Sequence, residues 1–307
     1  MRQIRLFVLY SLIVVFALPV FAQEQAGLDI AVLKAGVGAR PLGMGSAFTA
    51  IADNADAPYW NPAGLGFVNK HEITSTQTKL STDADHLYLS YIMPAMGGSL
   101  GISWIQIGMG NLIQTSSEVD NNNEVINLNG FSYFANAYLL AYGRKLNEHI
   151  SLGITGTYLF SDMSNISGGQ AYGYSISPGL LLKFDLKDAK LSIGAKIDDL
   201  INQQNWTSGS LEQAPSKFRL GLAFAKSNLG LFSVDVCQIL RSNYSTTMSI
   251  GYEWAKDPLS LRLGYAESGF TAGVGFISGV VRVDYAYVVQ QELRNNVHRI
   301  SLSGIWQ

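Results

Sequence analysis

From residue 70 to the C-terminus, apolar residues alternate with small or polar ones at a period of two. Met248, Ile250, Tyr252 and Trp254 are separated by Ser249, Gly251 and Glu253. Leu259, Leu261, Leu263 and Tyr265 alternate with Ser260, Arg262 and Gly264, and Val281, Val283, Tyr285 and Tyr287 with Arg282, Asp284 and Ala286. The same pattern runs through 191–198 and 217–224. Successive side chains of a strand point to opposite faces, so each segment has one apolar face and one small or polar face. The pattern predicts an all-β chain of about 14 strands: 71–79, 84–93, 98–107, 131–143, 148–160, 170–184, 189–200, 215–226, 229–240, 246–255, 258–267, 270–277, 280–289 and 297–306.

A soluble β-sandwich alternates too. Two features favour a transmembrane antiparallel β-barrel instead. Many of the segments reach about ten residues, the length a tilted strand needs to cross hydrocarbon, whereas soluble strands average roughly five or six. Aromatic residues such as Trp254, Tyr265, Tyr287 and Trp306 end the apolar rows, as they do at a membrane–water boundary. Connection lengths sort in the same sense. Short joins at 94–97, 144–147, 185–188, 227–228, 256–257 and 278–279 read as periplasmic turns. Longer ones at 108–130, 161–169, 201–214 and 290–296 read as external loops.

Composition sharpens this reading. Charged residues make up 14% of the chain, against about 25% in ordinary soluble proteins, too few to solvate a conventional surface. Arg2 and Arg5 precede an apolar run from Leu6 to Leu18, and Val20-Phe21-Ala22 suits a signal peptidase. The expected organisation is a signal peptide over 1–22, an N-terminal plug over 23–69 and an outer-membrane barrel over 70–307, with membrane lipid as a partner. The run is shorter than the roughly 20 residues of a spanning helix, which disfavours an uncleaved anchor. A net charge of −2 without a basic patch leaves nucleic-acid binding no support. Cys237 is the only cysteine, so no internal disulfide forms.

Residues 23–69 break the strand pattern. They are rich in small residues and carry Gly36, Gly38, Gly43, Met44, Gly45 and Ser46, then Asp53, Asp56 and Tyr59-Trp60-Asn61-Pro62. The glycines lack the lysine of a phosphate loop and read as turn or close-packing positions. A segment of this kind ahead of a barrel suits its lumen. On the inward faces of the strands stand Lys196, Asp198, Arg219, Asp235, Arg262, Arg282, Asp284 and Arg299. They are expected to form ion pairs that hold wall and plug, or a lining that selects solutes. Asp53, Asp56 and Asn61 are expected to bind this wall. Asp120, Asn122 and Glu124 echo part of a calcium loop, but Val125 stands where that motif needs glycine. The four histidines have no ligand spacing, and no catalytic motif is present. The expectation is no enzyme, cofactor or metal.

The run from Gly38 to Phe48, with Ala52-Asp53 and Tyr59 to Leu65, resembles the N-terminal signature of the PorV/PorQ family, which is related to FadL-type transporters of hydrophobic compounds. Asp284-Tyr285-Ala286 and Asn296 to Leu302 resemble that family's closing strands. The resemblance implies a 14-stranded barrel with a luminal N-terminal segment. It also implies one of two roles: an accessory of type IX secretion, with secretion components or secreted proteins as partners, or uptake of hydrophobic small molecules. The secretion-linked role is the leading expectation. Uptake, or a structural and adhesive outer-membrane protein, is the alternative.

Overall fold

A computed structural model describes residues 30–80, 84–241, 244–267, 269–289 and 296–307. The expected signal peptide, residues 23–29 and most of the 290–296 loop lie outside the described residues. Among the described residues, sixteen strands follow four short helical turns. The strands are β1 (His71–Lys79), β2 (Asp85–Ala95), β3 (Gly98–Val119), β4 (Val125–Lys145), β5 (Ile150–Met163), β6 (Gln170–Leu186), β7 (Ala189–Asp198) and β8 (Ile201–Trp206). They continue as β9 (Leu211–Glu212), β10 (Lys217–Lys226), β11 (Gly230–Ile239), β12 (Thr247–Lys256), β13 (Leu259–Ala266), β14 (Gly269–Ser278), β15 (Val281–Val288) and β16 (Val297–Trp306).

Each strand pairs antiparallel with its neighbours, and β1 pairs with β16 from His71–Trp306 to Gln77–Ile300. The sheet therefore closes on itself as a 14-stranded barrel. The short β8 and β9 continue the lines of β7 and β10 rather than adding wall strands. Closure leaves no open edge, the condition for a sheet to cross lipid.

The two faces follow the alternation in the sequence. Leu261, Leu263, Leu302, Ile300, Leu140 and Ile154 are exposed on the outside. Their inward neighbours Arg262, Ser301, Ser303, Ala141 and Thr155 are buried. Outward aromatics align across strands: Trp104, Tyr138, Tyr158 and Tyr174 are direct cross-strand partners on β3 to β6. At the opposite, short-turn end His71, Tyr91 and Trp306 stack with centroids 5.7–6.1 Å apart.

Two stretches depart from expectation. Residues 108–130 were expected as a loop, but β3 and β4 run on through most of it, to 22 and 21 residues. A turn at Asp120–Glu124 joins them, with Asp120 Oδ1 accepting the Asn122 and Glu124 amides at 2.8 Å. The carboxylate thus serves as a turn cap. Polar, bulged ribbon above the neighbouring strands has no alternating apolar face, so its sequence reads as loop. The 201–214 loop similarly contains β8 and β9, for the same reason.

Candidate functional site

Residues 30–70 lie inside the barrel. Four short turns shape them: α1 (Ala31–Lys34), α2 (Ala39–Gly43), α3 (Ala57–Trp60) and a 3-10 turn (Pro62–Phe67). Pro58 and Pro62 sit at the starts of the last two, where a missing amide costs nothing. Val37, Met44, Phe48, Ala52, Ala55 and Leu65 are fully or almost fully buried. Tyr59 and Phe48 pack edge-on to Trp60, whose indole Nε1 donates to Val37 O at 3.0 Å.

The luminal segment lies directly on strand backbone at glycine positions. Gly143, Gly153 and Gly179 are successive cross-strand partners on β4, β5 and β6. A methyl group on any of them would come within 2.3 Å of Pro62 or Asn61. Gly194 and Gly221 pair beneath Thr49 and Ala50, and Gly251 and Gly264 pair beneath Met44 and Gly45. Gly45 itself has φ +63° and its Cα faces the Tyr265 backbone so closely that a Cβ would fall 2.6 Å from it. Sequence reading identified glycines 43 and 45 as close-packing positions. The wall glycines carried the matching signal, at inward parity on neighbouring strands.

Polar wall groups satisfy the segment's backbone. Asp235 accepts the Phe48 and Thr49 amides at 3.0 and 2.8 Å. Arg299 donates to Gly36 O and Ala35 O at 2.9 and 2.5 Å. Lys196 donates to Tyr59 O, Thr155 to Pro58 O and Ser151 to Ala63 O. Asn61 reaches the wall at Leu180 O, 3.1 Å, while its own Oδ1 caps the 3-10 turn through Ala63 N.

At the short-turn end the charges form one alternating chain. Asp53 pairs with Arg40 (2.5 Å), Arg40 with Glu253 (2.8 Å), Glu253 with Arg262 (2.6 Å) and Arg262 with Asp284 (2.7 Å). It continues from Asp284 to Arg282 (2.9 Å), to Glu72 (2.7 Å) and to Lys70 (3.4 Å). The chain links the luminal segment to β12, β13, β15 and β1. It crosses β14 over Gly275, where a Cβ would fall 2.5 Å from Asp284 and 2.8 Å from Arg262. Buried charges persist only when paired and hydrogen-bonded, and an alternating chain gives each member between its two ends two opposite neighbours. A smaller group joins Lys196, Asp198 and Arg219 on β7 and β10.

Two expectations for this segment fall differently. Asp53 pairs with Arg40 of its own segment rather than with a wall arginine, because Arg40 stands between it and Glu253. Asp53 is part-exposed, and the Arg40 guanidinium beside it holds its carboxyl below the usual range. Asp56 also stays within the segment. It accepts from Asn54 Nδ2 at 2.8 Å, and burial pushes it up to about 7. Arg40, Glu72 and Glu253 were not singled out from sequence. Glu253 could have been, since it is the cross-strand partner of Arg262.

On the long-loop side of the segment two cavities flank Ile30. One of about 90 Å³ is lined by Tyr133, Ala135, Leu159, Gln204, Trp206 and Glu212, among others. The other, about 40 Å³, is lined by Leu33, Tyr59, Leu139, Asp198, Asp199 and Arg219, among others. Behind them the wall ladder is interrupted. The β7–β10 pairing ends at Asp198–Lys217, and β8–β9 resumes it only at Gln204–Glu212. In between, side chains bridge the strands: Asn202 bonds both the amide and the carbonyl of Ala214 at 2.9 Å, and Ser216 Oγ donates to Asp199 O at 2.9 Å. Asp199 has φ +54°, an uncommon value outside glycine, which turns β7 into β8. No cluster of potential metal ligands occurs among the described residues.

No protein-family model matches the chain, and no curated protein matches it in sequence. Solved structures do share its fold. A monoaromatic hydrocarbon channel, the TodX deltaS2S3 mutant, superposes with a TM-score of 0.59 at 13% identity, covering 88% of this chain and 98% of that one. The toluene transporter TodX of Pseudomonas putida gives 0.58 at 14% identity, with 88% and 97% covered.

Proposed function

We propose that this chain is an outer-membrane conduit for small hydrophobic molecules, in which the N-terminal segment is a plug that closes the axial path. One observation carries the reading: the segment packs backbone-on-glycine against the wall at residues 43–63, with cavities on the long-loop side between it and a break in the wall. A solute entering from that side meets Tyr133, Leu139, Leu159 and Trp206, then a stretch of wall joined by side chains alone. The outlet along the axis is blocked; the side outlet needs only the Asn202 and Ser216 bonds to part. The sharing of fold with a hydrocarbon channel and a toluene transporter supports this choice of solute. The alternative expected from sequence, hydrophobic uptake, thereby displaces the secretion-linked reading, which rests on resemblance alone and gains nothing from these likenesses.

The test is uptake of a monoaromatic hydrocarbon into proteoliposomes. In a Cys237→Ser background, Asn202→Cys with Ala214→Cys closes the break by a disulfide. Uptake is expected to fall to the level of protein-free vesicles when the pair is oxidised and to return on reduction. Uptake that never exceeds protein-free vesicles in the open form contradicts the conduit; uptake indifferent to the crosslink contradicts the side path.

A further inference from the structure

Among the described residues, several buried polar atoms in the lumen have no hydrogen-bond partner, and three of the side chains that carry them stand together in one row. The row lies on β2, β1 and β16, beside the seam where the barrel closes. Thr78 stands directly opposite His86 in the β1–β2 register. On its other side, one position past the Gln77–Ile300 pair, is Arg299 of β16. The three side chains thus form a row across adjacent strands on the inward face, where neighbouring Cβ atoms are about 5 Å apart. They are 4%, 1% and 4% exposed. Thr78 Oγ1, both ring nitrogens of His86 and Arg299 Nε make no hydrogen bond.

The charge balance is as telling as the geometry. Arg299 is a buried cation whose bonds go to the neutral carbonyls of Ala35 and Gly36. The other inward arginines, 219, 262 and 282, each bond a carboxylate. A buried guanidinium without counter-charge is strongly unfavourable, and guanidinium, hydroxyl and imidazole N–H are all donors.

We infer that Arg299, Thr78 and His86 form a buried site for one small inorganic anion of halide size, which fastens the closing seam to the plug at Ala35–Gly36. The near-complete burial of all three side chains admits no organic tail, so a lipid or solute carboxylate does not fit. The anion enters as the barrel folds and supplies the counter-charge that no described carboxylate gives Arg299. Arg299 Nε–H, the Thr78 hydroxyl and one His86 N–H donate to it.

The probe is bromide. The full mature protein is refolded from urea into detergent micelles in sodium bromide or, at equal ionic strength, in sodium gluconate. Crystals from the bromide sample are expected to show one anomalous bromine peak between Arg299 Nε and Thr78 Oγ1. The thermal midpoint is expected to be several degrees higher in bromide than in gluconate. Thr78→Val, nearly isosteric and leaving Arg299 and its clamp in place, should abolish the peak and most of that difference; Arg299→Met should abolish both. A water or no density at the position, or equal midpoints in the two salts, overturns the site. So does a salt difference that survives in Thr78→Val.

Discussion

At the scale of single residues, the lumen sets two carboxylates against each other. Asp53 is stabilised as the anion by Arg40, whereas Asp56, buried with only Asn54 to bond it, is stabilised as the acid. The consequences for pH have opposite signs. A raised group contributes stability that is complete below its unfolded value, about 4, and is lost as pH rises through its folded value. For Asp56 that loss runs from about 4 up to about 7 and is complete above neutrality. The lowered group contributes above about 4 and fails only in acid. Docking of the N-terminal segment should therefore be tightest at about pH 4, weaken as pH rises toward neutrality and level off above it. Asp56→Asn mimics the protonated side chain. Protease protection of the 30–66 segment, measured from pH 5 to 9, should decline toward neutrality in the parent and stay flat in Asp56→Asn. A parallel decline in both would assign the effect to other groups.

Elements show how far the pattern of residues carried the reading. Period-two alternation located all 14 wall strands because one face of every strand meets an apolar exterior; β1 and β16 match at both ends, whereas the expected β3 stops at 107 and the expected β4 starts at 131. It failed where that contrast ends. The upper halves of β3 and β4 present mixed residues on both faces, and β8 and β9 sit in a polar stretch, so all four read as loop. The break at Asp199–Ser216 was equally hidden, since it lies in hydrogen bonding rather than in side-chain type. In the site, the arginines and aspartates facing inward were legible from parity. Their partners were not, because pairing across β14 depends on Gly275 leaving room between β13 and β15. The glycine rows yield their own prediction. Gly221→Leu places a side chain where a Cβ already falls 2.8 Å from Ala50 N and 2.5 Å from Asp235. Overpacking of this kind costs about 1–3 kcal/mol, and here the movable partner is the plug. The variant should still migrate as a folded barrel in unheated gels but admit ions in a planar bilayer. A folded variant as tight as the parent would mean that the plug yields without unsealing.

For the molecule as a whole, the strands supply a closed cylinder that could exist around water, as wide barrels do. In the proposed reading, the segment that precedes β1 prevents that. It is bonded to Asp235, Arg299, Lys196 and Glu253 on β11, β16, β7 and β12, so its attachment is spread around much of the circumference. Such a plug is not displaced by breaking one contact, which is why the account assigns movement to the wall break and closure to the plug. The most direct test compares single-channel conductance of the intact protein with that of a chain lacking residues 23–66. The intact barrel should give no steady conductance above the bare bilayer, and the shortened one should open a large, persistent pore. A wide, steady pore in the intact protein, or a shortened barrel that folds and stays closed, would contradict the account.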